Sequence, residues 1–291
     1  MSRILITGAF GQLGTSLRNI LSDQSILAAG RMIPVEEKDG CTTLDITELN
    51  QVRETIALFQ PDVIVHLAAM TNVDGCEQDP ELAFDVNVLG TENLLDNFSG
   101  RFIYISTDYV FDGRNGPYTE KDEVNPISVY GRTKLYGEDL VQQSDANWVI
   151  LRSNVVFSFQ ERTKASFMDW VVDSLQNRQL ITVVDDQWNN PTWTVDLARI
   201  ISRIIDHEIQ GLYHYGGRDL LNRFAFAEMI AETFKLDQTL IEPIDTASLN
   251  QLAKRPLKSG LCPEKIEIDL SVEALPLRKA LDEIYSLSRK H

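Results

Sequence analysis

The chain has 291 residues, with 27 Lys and Arg against 43 Asp and Glu, which gives a formal net charge of −16. This acidity argues against a general nucleic-acid binder and against docking to anionic membranes, because both partners require a basic surface. An apolar fraction of 43% and a charged fraction of 24% are typical of a folded chain rather than a disordered one.

The cysteines and histidines are few and widely spaced. No CxxC or HExxH motif occurs, so we predict no metal site. Scattered cysteines indicate free thiols in a reducing compartment, and we therefore expect a cytoplasmic protein. The longest clearly apolar stretch, residues 63–70, is far shorter than the roughly 18 residues that a membrane span needs, and the first residues do not resemble a secretion signal.

Short apolar runs alternate with amphipathic stretches through the first half of the chain. The pattern predicts strands at 4–7, 26–29, 63–69, 102–106 and 148–151. Helices are predicted from residue 13, at 47–59 with Thr47 as the cap, at 83–95 and at 128–141. Strands that alternate with helices indicate a parallel sheet that is covered on both faces, which is a doubly wound α/β fold.

After residue 152 the alternation is less regular. Helices are predicted at 162–175, 195–205, 224–234 and 272–287, and strands at 181–184 and 212–215, with a turn-rich segment at 236–269. We interpret residues 1–152 as a Rossmann-type domain. Residues 153–291 are interpreted as mainly a smaller α/β substrate-binding lobe, interleaved with the last strands of the sheet.

A glycine-rich turn follows the first predicted strand directly and opens a helix. Glycine allows the tight turn and lets backbone N–H groups approach a pyrophosphate, which the helix N-terminus favours electrostatically. The last glycine allows helix and strand to pack closely. This context predicts a dinucleotide site, although a simple tight turn is the alternative. The candidate cofactor-binding residues of the turn are Gly8, Phe10, Gly11, Gln12, Leu13 and Gly14.

The end of the second strand bears on the choice of cofactor. An acidic residue there would bind the adenosine ribose of NAD, but the sequence has Arg31 after Gly30. The planar guanidinium of Arg31 can pair with a 2′-phosphate, which favours NADP(H). Glu36 and Glu37 follow closely, so NAD(H) remains possible, and a solvated loop arginine is the alternative for Arg31.

Tyr130 and Lys134 form a YxxxK pair on a predicted helix. Residues at i and i+4 share a helix face, and a neighbouring cation favours a phenolate over a phenol, whose free pKa is about 10. Such a tyrosine can exchange a proton with a carbonyl or alcohol oxygen. Thr107 ends a strand where open α/β sheets bind ligands, and its hydroxyl could donate to a substrate oxygen. The alternative for the tyrosine is simple packing.

These motifs resemble the extended short-chain dehydrogenase/reductases over nearly the whole chain. The segment ISTDYVFDG at 105–113 is similar in particular to the dTDP-4-dehydrorhamnose reductase group. Further stretches that match the order of that group are 11–14, 44–47, 196–198, 211–215 and 255–259.

The resemblance implies roles for several residues. Thr107 would orient a keto oxygen, Tyr130 would be the acid, and Lys134 would tune the tyrosine and bind the nicotinamide ribose. The residues that would line the cofactor are Asp45 and Ile46 at the adenine and Ala68, Ala69 and Met70 after the fourth strand. Asn87 would lie near the active site. A lead into a helix cap remains the alternative for Asp45, and a satisfied polar group remains the alternative for Asn87.

The candidate substrate-binding residues are Asp108, Tyr109, Asn154, Val155, Trp188 and Arg255. Related dehydratases carry Glu where this chain has Tyr109, which argues against water elimination but leaves an epimerase open. Val155 stands where the resembling reductases typically carry Trp. Trp188 could replace that stacking surface or belong to the core. Arg255 could pair with a nucleotide diphosphate or be a solvated loop residue.

The sequence therefore predicts an NADPH-dependent reductase that acts on a keto group of a nucleotide-linked deoxysugar. A homodimer is expected only because dimers are common in the resembling family. One alternative is a reductase or epimerase for another sugar or carbonyl compound. The other is a non-catalytic, NADP-binding regulatory subunit similar to the methionine adenosyltransferase β subunit. The intact set of Thr107, Tyr130 and Lys134 favours catalysis.

Overall fold

A parallel sheet forms the centre of the computed structural model, which describes residues 2–37, 39–159 and 166–289. Apolar and β-branched segments form its strands, as expected of side chains that pack on a pleated surface. In chain order the strands are β1 (Arg3–Thr7), β2 (Ser25–Gly30), β3 (Cys41–Thr43), β4 (Val63–His66), β5 (Arg101–Thr107), β6 (Asn147–Ser153), β7 (Val156–Phe157), β8 (Ile181–Val184), β9 (Trp188–Asn189), β10 (Thr192–Trp193), β11 (Gly211–His214), β12 (Leu221–Asn222) and β13 (Ile241–Ile244).

Helices join the strands and cover the sheet. In chain order they are α1 (Gln12–Ile20), α2 (Leu49–Phe59), α3 (Val73–Gln78), α4 (Pro80–Phe84), α5 (Gly90–Leu95), α6 (Val129–Gln143), α7 (Phe167–Gln176), α8 (Thr194–His207), α9 (Arg223–Phe234), α10 (Glu264–Leu270) and α11 (Leu277–Ser288). Within the described ranges, none of the helices combines the length and the apolar character that crossing a membrane requires.

The seven strands of the central sheet have the order β3-β2-β1-β4-β5-β6-β11, and each neighbouring pair is parallel. From β1 the chain winds outwards to β2 and β3, and then returns to β4 on the other side of β1. A crevice opens at such a reversal, beyond the carboxyl ends of the strands. This topology confirms the predicted Rossmann-type fold.

Side chains of β1 alternate between two apolar cores. Ile4 and Ile6 pack with α1 and α8 on one face of the sheet, whereas Leu5 packs with α2, α5 and α6 on the other. Successive strand residues point to opposite faces, so a strand that is covered on both faces must be apolar throughout. This explains why the β1 and β4 sequences show no alternation of polar and apolar residues.

A separate core lies in the second half of the chain. Phe157, Phe226 and Leu281 belong to it, and they join α7, α9 and α11 to the two-stranded parallel sheet of β8 and β13. Strand β11 and helix α8 also follow residue 152, yet they belong to the layers of the central sheet. The division into residues 1–152 and 153–291 stays a prediction.

Several predicted element bounds differ from the structure. Helix α2 begins at Leu49 after Glu48, so the predicted cap Thr47 is wrong. Thr47 instead donates its N–H and its hydroxyl to Asp45 Oδ1, at 3.0 and 2.8 Å. The predicted helix at 83–95 begins at Pro80 and contains a π-helical turn, Asp85–Leu89, between α4 and α5.

The last predicted helix, at 272–287, begins only at Leu277, directly after Pro276, whose ring restricts the backbone to non-helical or first-turn positions. An unpredicted helix, α10, and strand β13 lie in the segment expected to be turns. Helix α7 begins at Phe167, and residues 162–165 of the predicted helix lie outside the described residues. The three-residue strand β3 is too short to show a period in the sequence.

A buried ion pair ties α6 to β6. Glu138 is fully buried and Arg152 is 3% exposed. Arg152 donates from Nε and Nη2 to the two carboxylate oxygens of Glu138, at 2.9 and 2.6 Å. Ser106 on β5 donates to the same carboxylate at 2.5 Å. The pair therefore joins one helix and two strands in the layer beneath the carboxyl end of the sheet.

Replacing Glu138 with Gln should lower the free energy of unfolding by about 3–5 kcal/mol, because it leaves the buried guanidinium of Arg152 without a counter-charge. Urea denaturation would measure the loss. The matched control is Glu232→Gln, which removes an ion pair with Arg278 whose side chains are 57% and 45% exposed. That change should cost less than about 1 kcal/mol. Equal losses in the two variants would contradict the prediction.

Candidate active site

A cavity of about 880 Å³ occupies the crevice at the carboxyl ends of the central strands. It extends from the turn after β1, past β2 and β4, to the ends of β5 and β6. All of the sequence-predicted cofactor-binding residues line it, namely Gly8, Phe10, Gly11, Gln12, Leu13, Gly14, Arg31, Asp45, Ile46, Ala68, Ala69, Met70, Tyr130 and Lys134. The third predicted catalytic residue, Thr107, lines it as well.

The three positions of the turn differ in why they hold glycine. Gly8 has φ +67°, and a Cβ atom there would lie 2.7 Å from the backbone nitrogen of Ala68. A Cβ on Gly14 would lie 2.6 Å from the carbonyl oxygen of Ala9. Gly11 has no such conflict, since its nearest contact would be an ordinary 3.5 Å from the carbonyl oxygen of Gly8. Internal packing therefore requires Gly8 and Gly14, whereas Gly11 leaves open space at the N-terminus of α1.

The N-terminus of α1 is suited to an anion. Gly11 is its N-cap residue, and the first turn carries no acidic side chain. The N-terminal N–H groups and the positive end of the helix dipole therefore meet the cavity without a competing carboxylate.

The end of the cavity beside β2 carries Arg31, which is exposed and forms no ion pair within the residues that the structure describes. Glu37 is bonded to Arg18 and does not line the cavity, and neither does Glu36. Asp45 lines the cavity while its carboxylate accepts from Thr47. Asp45 therefore shapes the chain before α2 through these bonds, and its place at the adenine stays a prediction.

Asn87 fastens the segment after β4 to helix α6. Its Oδ1 accepts from the N–H of Met70 at 2.8 Å, and its Nδ2 donates to the Met70 carbonyl and to Thr133 Oγ1 at 3.2 and 3.0 Å. Asn87 is buried within the π-helical turn and does not line the cavity. The interpretation as a satisfied polar group beside the sheet is therefore the one that the hydrogen bonds support.

Helix α6 presents Tyr130 and Lys134 to the cavity one turn apart. Lys134 is 3% exposed, and its ammonium lies 3.9 Å from the centroid of the Tyr104 ring. Burial lowers the pKa of Lys134 to about 7, and the charge of Glu138, one further turn along the helix, acts in the opposite direction. The lysine side chain is thus placed between an aromatic face and the buried carboxylate.

The pKa of Tyr130 differs in direction from the sequence-based expectation. Burial raises it well above its usual value, an interaction with the Thr107 hydroxyl lowers it, and the charge of Asp108 raises it further. The expected lowering is wrong for this structure, because desolvation of the phenolate raises the pKa more than the interaction with Thr107 lowers it. Tyr130 is therefore a protonated phenol at neutral pH.

Thr107 and Asp108 form the end of the β5 wall. Thr107 Oγ1 donates to Asp108 Oδ1 at 3.1 Å and accepts from the N–H of Tyr109 at 3.2 Å. Ser259 donates to the other carboxylate oxygen of Asp108 at 2.5 Å. Burial raises the pKa of Asp108 to about 6, against the lowering effect of these hydrogen bonds. The Tyr109 ring meets the Tyr130 ring edge-on, with centroids 5.5 Å apart.

The end of β6 and the residues after it also line the cavity, with Asn154 and Val155 as predicted and Ser153, the last residue of β6, as an addition. Ser153 Oγ and Asn154 Oδ1 are buried and have no hydrogen-bond partner among the described residues. Val155 has φ +42°, which is strained for a β-branched residue. Unsatisfied polar atoms and backbone strain are features that concentrate at ligand sites.

Two predicted substrate-binding residues lie outside the cavity lining. Trp188 is 39% exposed on β9, where its backbone pairs with the segment before Ser259. Arg255 donates from Nη1 and Nη2 to the two carboxylate oxygens of Asp74, at 3.2 and 2.8 Å. Trp193, close by in the sequence, is 5% exposed and belongs to the second core.

Sequence reasoning missed Ser153, Glu138 and Arg223. Glu138 could have been found, because it continues the i, i+4 spacing of Tyr130 and Lys134 along one helix face. Arg223 lines the cavity from the first turn of α9. An arginine at the start of a helix gives no signal in the sequence, since only the packing of the second core brings α9 to the cavity.

Comparison with known proteins agrees with this geometry. Residues 1–289 match a family model described as the RmlD substrate binding domain. A dTDP-4-dehydrorhamnose reductase from Aggregatibacter actinomycetemcomitans is 33% identical over 302 residues, which covers 98% of each chain. The methionine adenosyltransferase 2 subunit beta of Danio rerio is 33% identical over 291 residues, covering 96% of this chain and 88% of that one.

Solved structures give the same result. A dTDP-4-dehydrorhamnose reductase from Clostridium acetobutylicum has a TM-score of 0.88 at 32% identity, covering 99% of each chain. A dTDP-4-dehydrorhamnose reductase from Bacillus anthracis, in complex with NADP, has a TM-score of 0.84 at 28% identity, also covering 99% of each chain.

Fold, cavity and relatives together define the class of protein as an extended short-chain dehydrogenase/reductase. Within that class, the chain belongs to the RmlD substrate binding domain family. The resemblance inferred from the motifs is confirmed, and so is the predicted class of enzyme, an oxidoreductase.

Replacing Lys134 with Met should stabilise the nucleotide-free protein most at pH 6, and the gain should fade as the pH rises towards 10. The folded-state pKa of Lys134, about 7, lies below its ordinary value of 10.5. Between these values the unfolded chain binds more protons, so this group makes the wild-type protein more stable as the pH rises. Below pH 7 both states are charged and the full penalty of burial applies.

Urea denaturation from pH 6 to pH 10 would measure this dependence. The matched control is Lys265→Met, because the Lys265 ammonium also lies over a ring, 4.2 Å from the Tyr213 centroid, but its side chain is exposed. That change removes a lysine from a ring contact at the surface, so it gives the baseline for losing the same side chain without burial. If the free energies of unfolding of Lys134→Met and the wild type differ by the same amount at every pH, the prediction that the Lys134 ammonium is desolvated is wrong.

Proposed function

We propose that the protein is an NADPH-dependent reductase that reduces a keto group on a nucleotide-linked deoxysugar, as in a dTDP-4-dehydrorhamnose reductase. The observation that carries the proposal is that Thr107, Tyr130 and Lys134, from two separate elements, meet on one wall of the cavity. Reductases of that name are 33% and 32% identical to this chain over almost their whole length.

The residues of the cavity fit a dinucleotide. Gly8 and Gly14 shape the turn, and the N-terminus of α1 would hold the diphosphate through its N–H groups and dipole. Arg31 would hold the 2′-phosphate, which supports NADP(H). Glu37 accepts a hydrogen bond from Arg18, so its carboxylate is not free to bind the ribose hydroxyls of NAD(H). NAD(H) remains a possible second cofactor, since relatives of this fold bind either form.

Lys134 would hold the nicotinamide ribose, while Asp45 and Ile46 would lie at the adenine. Ala68, Ala69 and Met70 would line the path of the cofactor between these points. When bound, the reduced nicotinamide supplies a hydride to the ketone carbon.

Tyr130 would donate its proton to the oxygen of the reacting ketone. Burial keeps the phenol protonated at neutral pH, which is the form that a general acid needs. Thr107 would orient the same oxygen once its hydroxyl turns from Asp108 to the substrate. The charge on Lys134 would then stabilise the tyrosinate left behind, because an opposite charge in a buried site interacts strongly.

Asp108, Tyr109, Asn154 and Val155 would contact the sugar, since all four line the cavity beside Thr107. Trp188 and Arg255 are less well placed, because neither lines the cavity. A cytoplasmic location and a homodimer stay predictions; the three free cysteines support the first.

A regulatory role is the second candidate, favoured by the 33% identity to a methionine adenosyltransferase subunit beta. The presence of the three candidate catalytic residues at one cavity weighs against it. Stable co-purification with a second polypeptide, together with no turnover of any ketone, would favour this role over catalysis. Epimerisation would show as exchange of solvent hydrogen into the sugar without net oxidation of NADPH.

Replacing Tyr130 with Phe should lower kcat for the dTDP-4-keto sugar by about 100- to 10,000-fold, because the general acid is lost. NADPH oxidation, followed by absorbance, would measure turnover, and NADPH fluorescence would measure cofactor binding, which should not change. Tyr136→Phe is the control, since Tyr136 lies on the same helix and is 50% exposed. Near-full turnover by the Tyr130 variant would disprove the proposed role.

Replacing Arg31 with Gln should raise the KM for NADPH by about 10- to 100-fold, which corresponds to the loss of hydrogen bonds between charged groups. The KM for NADH should stay within a few-fold, because NADH has no 2′-phosphate. Arg53→Gln serves as the control, since Arg53 lies on the outer surface of α2. An equal rise in the KM for NADPH and the KM for NADH would contradict the prediction, because it would show that Arg31 binds a group that both cofactors contain.

A further inference from the structure

The cavity has a cationic side chain at the substrate side that neither the predicted motifs nor the proposed mechanism uses. Arg223 is the first residue of α9 and lines the cavity together with Thr107 and Tyr109. Its position is fixed, because the Arg223 N–H donates to the Gln187 carbonyl at 3.2 Å and Asn222 caps the helix through a 2.7 Å bond from the Ala225 N–H.

Arg223 differs from Arg152 and Arg255 in the partners of its guanidinium. The guanidinium of Arg152 is bonded to Glu138, and that of Arg255 is bonded to Asp74. The Arg223 guanidinium lies over the Phe167 ring, 5.1 Å from its centroid, and has no ion pair or side-chain hydrogen bond with any residue that the structure describes. A guanidinium carries five N–H donors, so a half-buried one without acceptors is suited to receive an anion.

The surroundings of Arg223 place it at the substrate rather than at the cofactor. Burial lowers its pKa, whereas Asp108, and Tyr109 only at a pH high enough to ionise the phenol, act in the opposite direction. Both of these residues follow Thr107 at the end of β5. Arg31, by contrast, lies at the opposite end of the cavity, after β2.

We propose that Arg223 binds the diphosphate of a nucleotide-linked substrate. The inference rests on the proposed function and assigns to Arg223 the role that the sequence suggested for Arg255, whose two terminal nitrogens are occupied by Asp74. The same cavity is lined by Ser153 and Asn154, whose buried side-chain oxygens accept no hydrogen bond from any part of the chain that the structure describes. These oxygens can accept from hydroxyls of a sugar attached to the diphosphate.

An acidic protein needs such a cation. With a net charge of −16, the chain repels a doubly charged diphosphate over most of its surface. The long-range repulsion must be offset by short-range contacts inside the cavity. A desolvated guanidinium with a rigid planar fork provides them, because it binds phosphate oxygens in pairs.

The test is calorimetric titration of the NADP⁺-saturated protein with dTDP and UDP, and with thymidine and uridine as ligands that lack phosphate. Saturation with NADP⁺ keeps the nucleoside diphosphates out of the cofactor site. Arg223→Gln should weaken binding of dTDP or UDP by about 10- to 100-fold, the loss expected for hydrogen bonds between charged groups. Arg223→Lys should recover part of the loss, and nucleoside affinity should not change.

Arg218→Gln is the matched control, because Arg218 precedes the same helix and its side chain is 62% exposed. Thermal unfolding of each variant would show whether the Phe167 contact matters to stability, and the nucleoside affinities would show whether the cavity is intact.

Unchanged diphosphate affinity in Arg223→Gln would overturn the inference and leave the proposed reductase untouched. Equal losses for nucleoside and nucleoside diphosphate would also overturn it, since they would reveal a structural role. Failure of the wild-type protein to bind any nucleoside diphosphate would overturn both the inference and the nucleotide-linked part of the proposed function. Turnover of free ketones by that same protein would then show that the redox chemistry stands.

Discussion

The ion pair between Glu138 and Arg152 fixes helix α6 to the end of the central sheet, and the candidate active site is built on that helix. Tyr130, Lys134 and Glu138 follow one another at intervals of one turn, from the cavity into the protein. The buried carboxylate of Glu138 favours the charged form of Lys134, which lines the cavity. Without this anchored helix, the phenol and the hydroxyl of Thr107 would have no fixed separation.

Burial acts on both of the residues in this row that line the cavity. It disfavours the charge on Lys134 and the charge on Tyr130, so both groups tend towards their neutral forms. For the tyrosine this is useful, because a neutral phenol is the form that can give a proton to a ketone oxygen. For the lysine the tendency is opposed by the charge of Glu138, so this buried carboxylate acts on Lys134 as well as binding Arg152.

The cavity also resolves an apparent conflict between an acidic protein and an anionic ligand. Its positive features lie at the turn of α1, at Arg31 and at Arg223. Under the proposed function, each would meet a different phosphate group of the cofactor or the substrate. A few cations inside the cavity would then bind small phosphate-bearing ligands, while the net charge of the chain opposes polyanions at its surface.

The sequence by itself determined the fold class and most of the cavity, because both are encoded locally. Gly8 and Gly14 are required by close backbone contacts within one strand–turn–helix unit, and the spacing of Tyr130 and Lys134 is a property of a single helix. The tertiary structure alone decided which arginine lines the cavity. The stretch 255–259 pointed to Arg255 and nothing in the sequence pointed to Arg223, yet packing leaves Arg255 bonded to Asp74 and places Arg223 at the cavity. The direction of the tyrosine pKa was likewise undetermined, since desolvation depends on all the segments that enclose the ring.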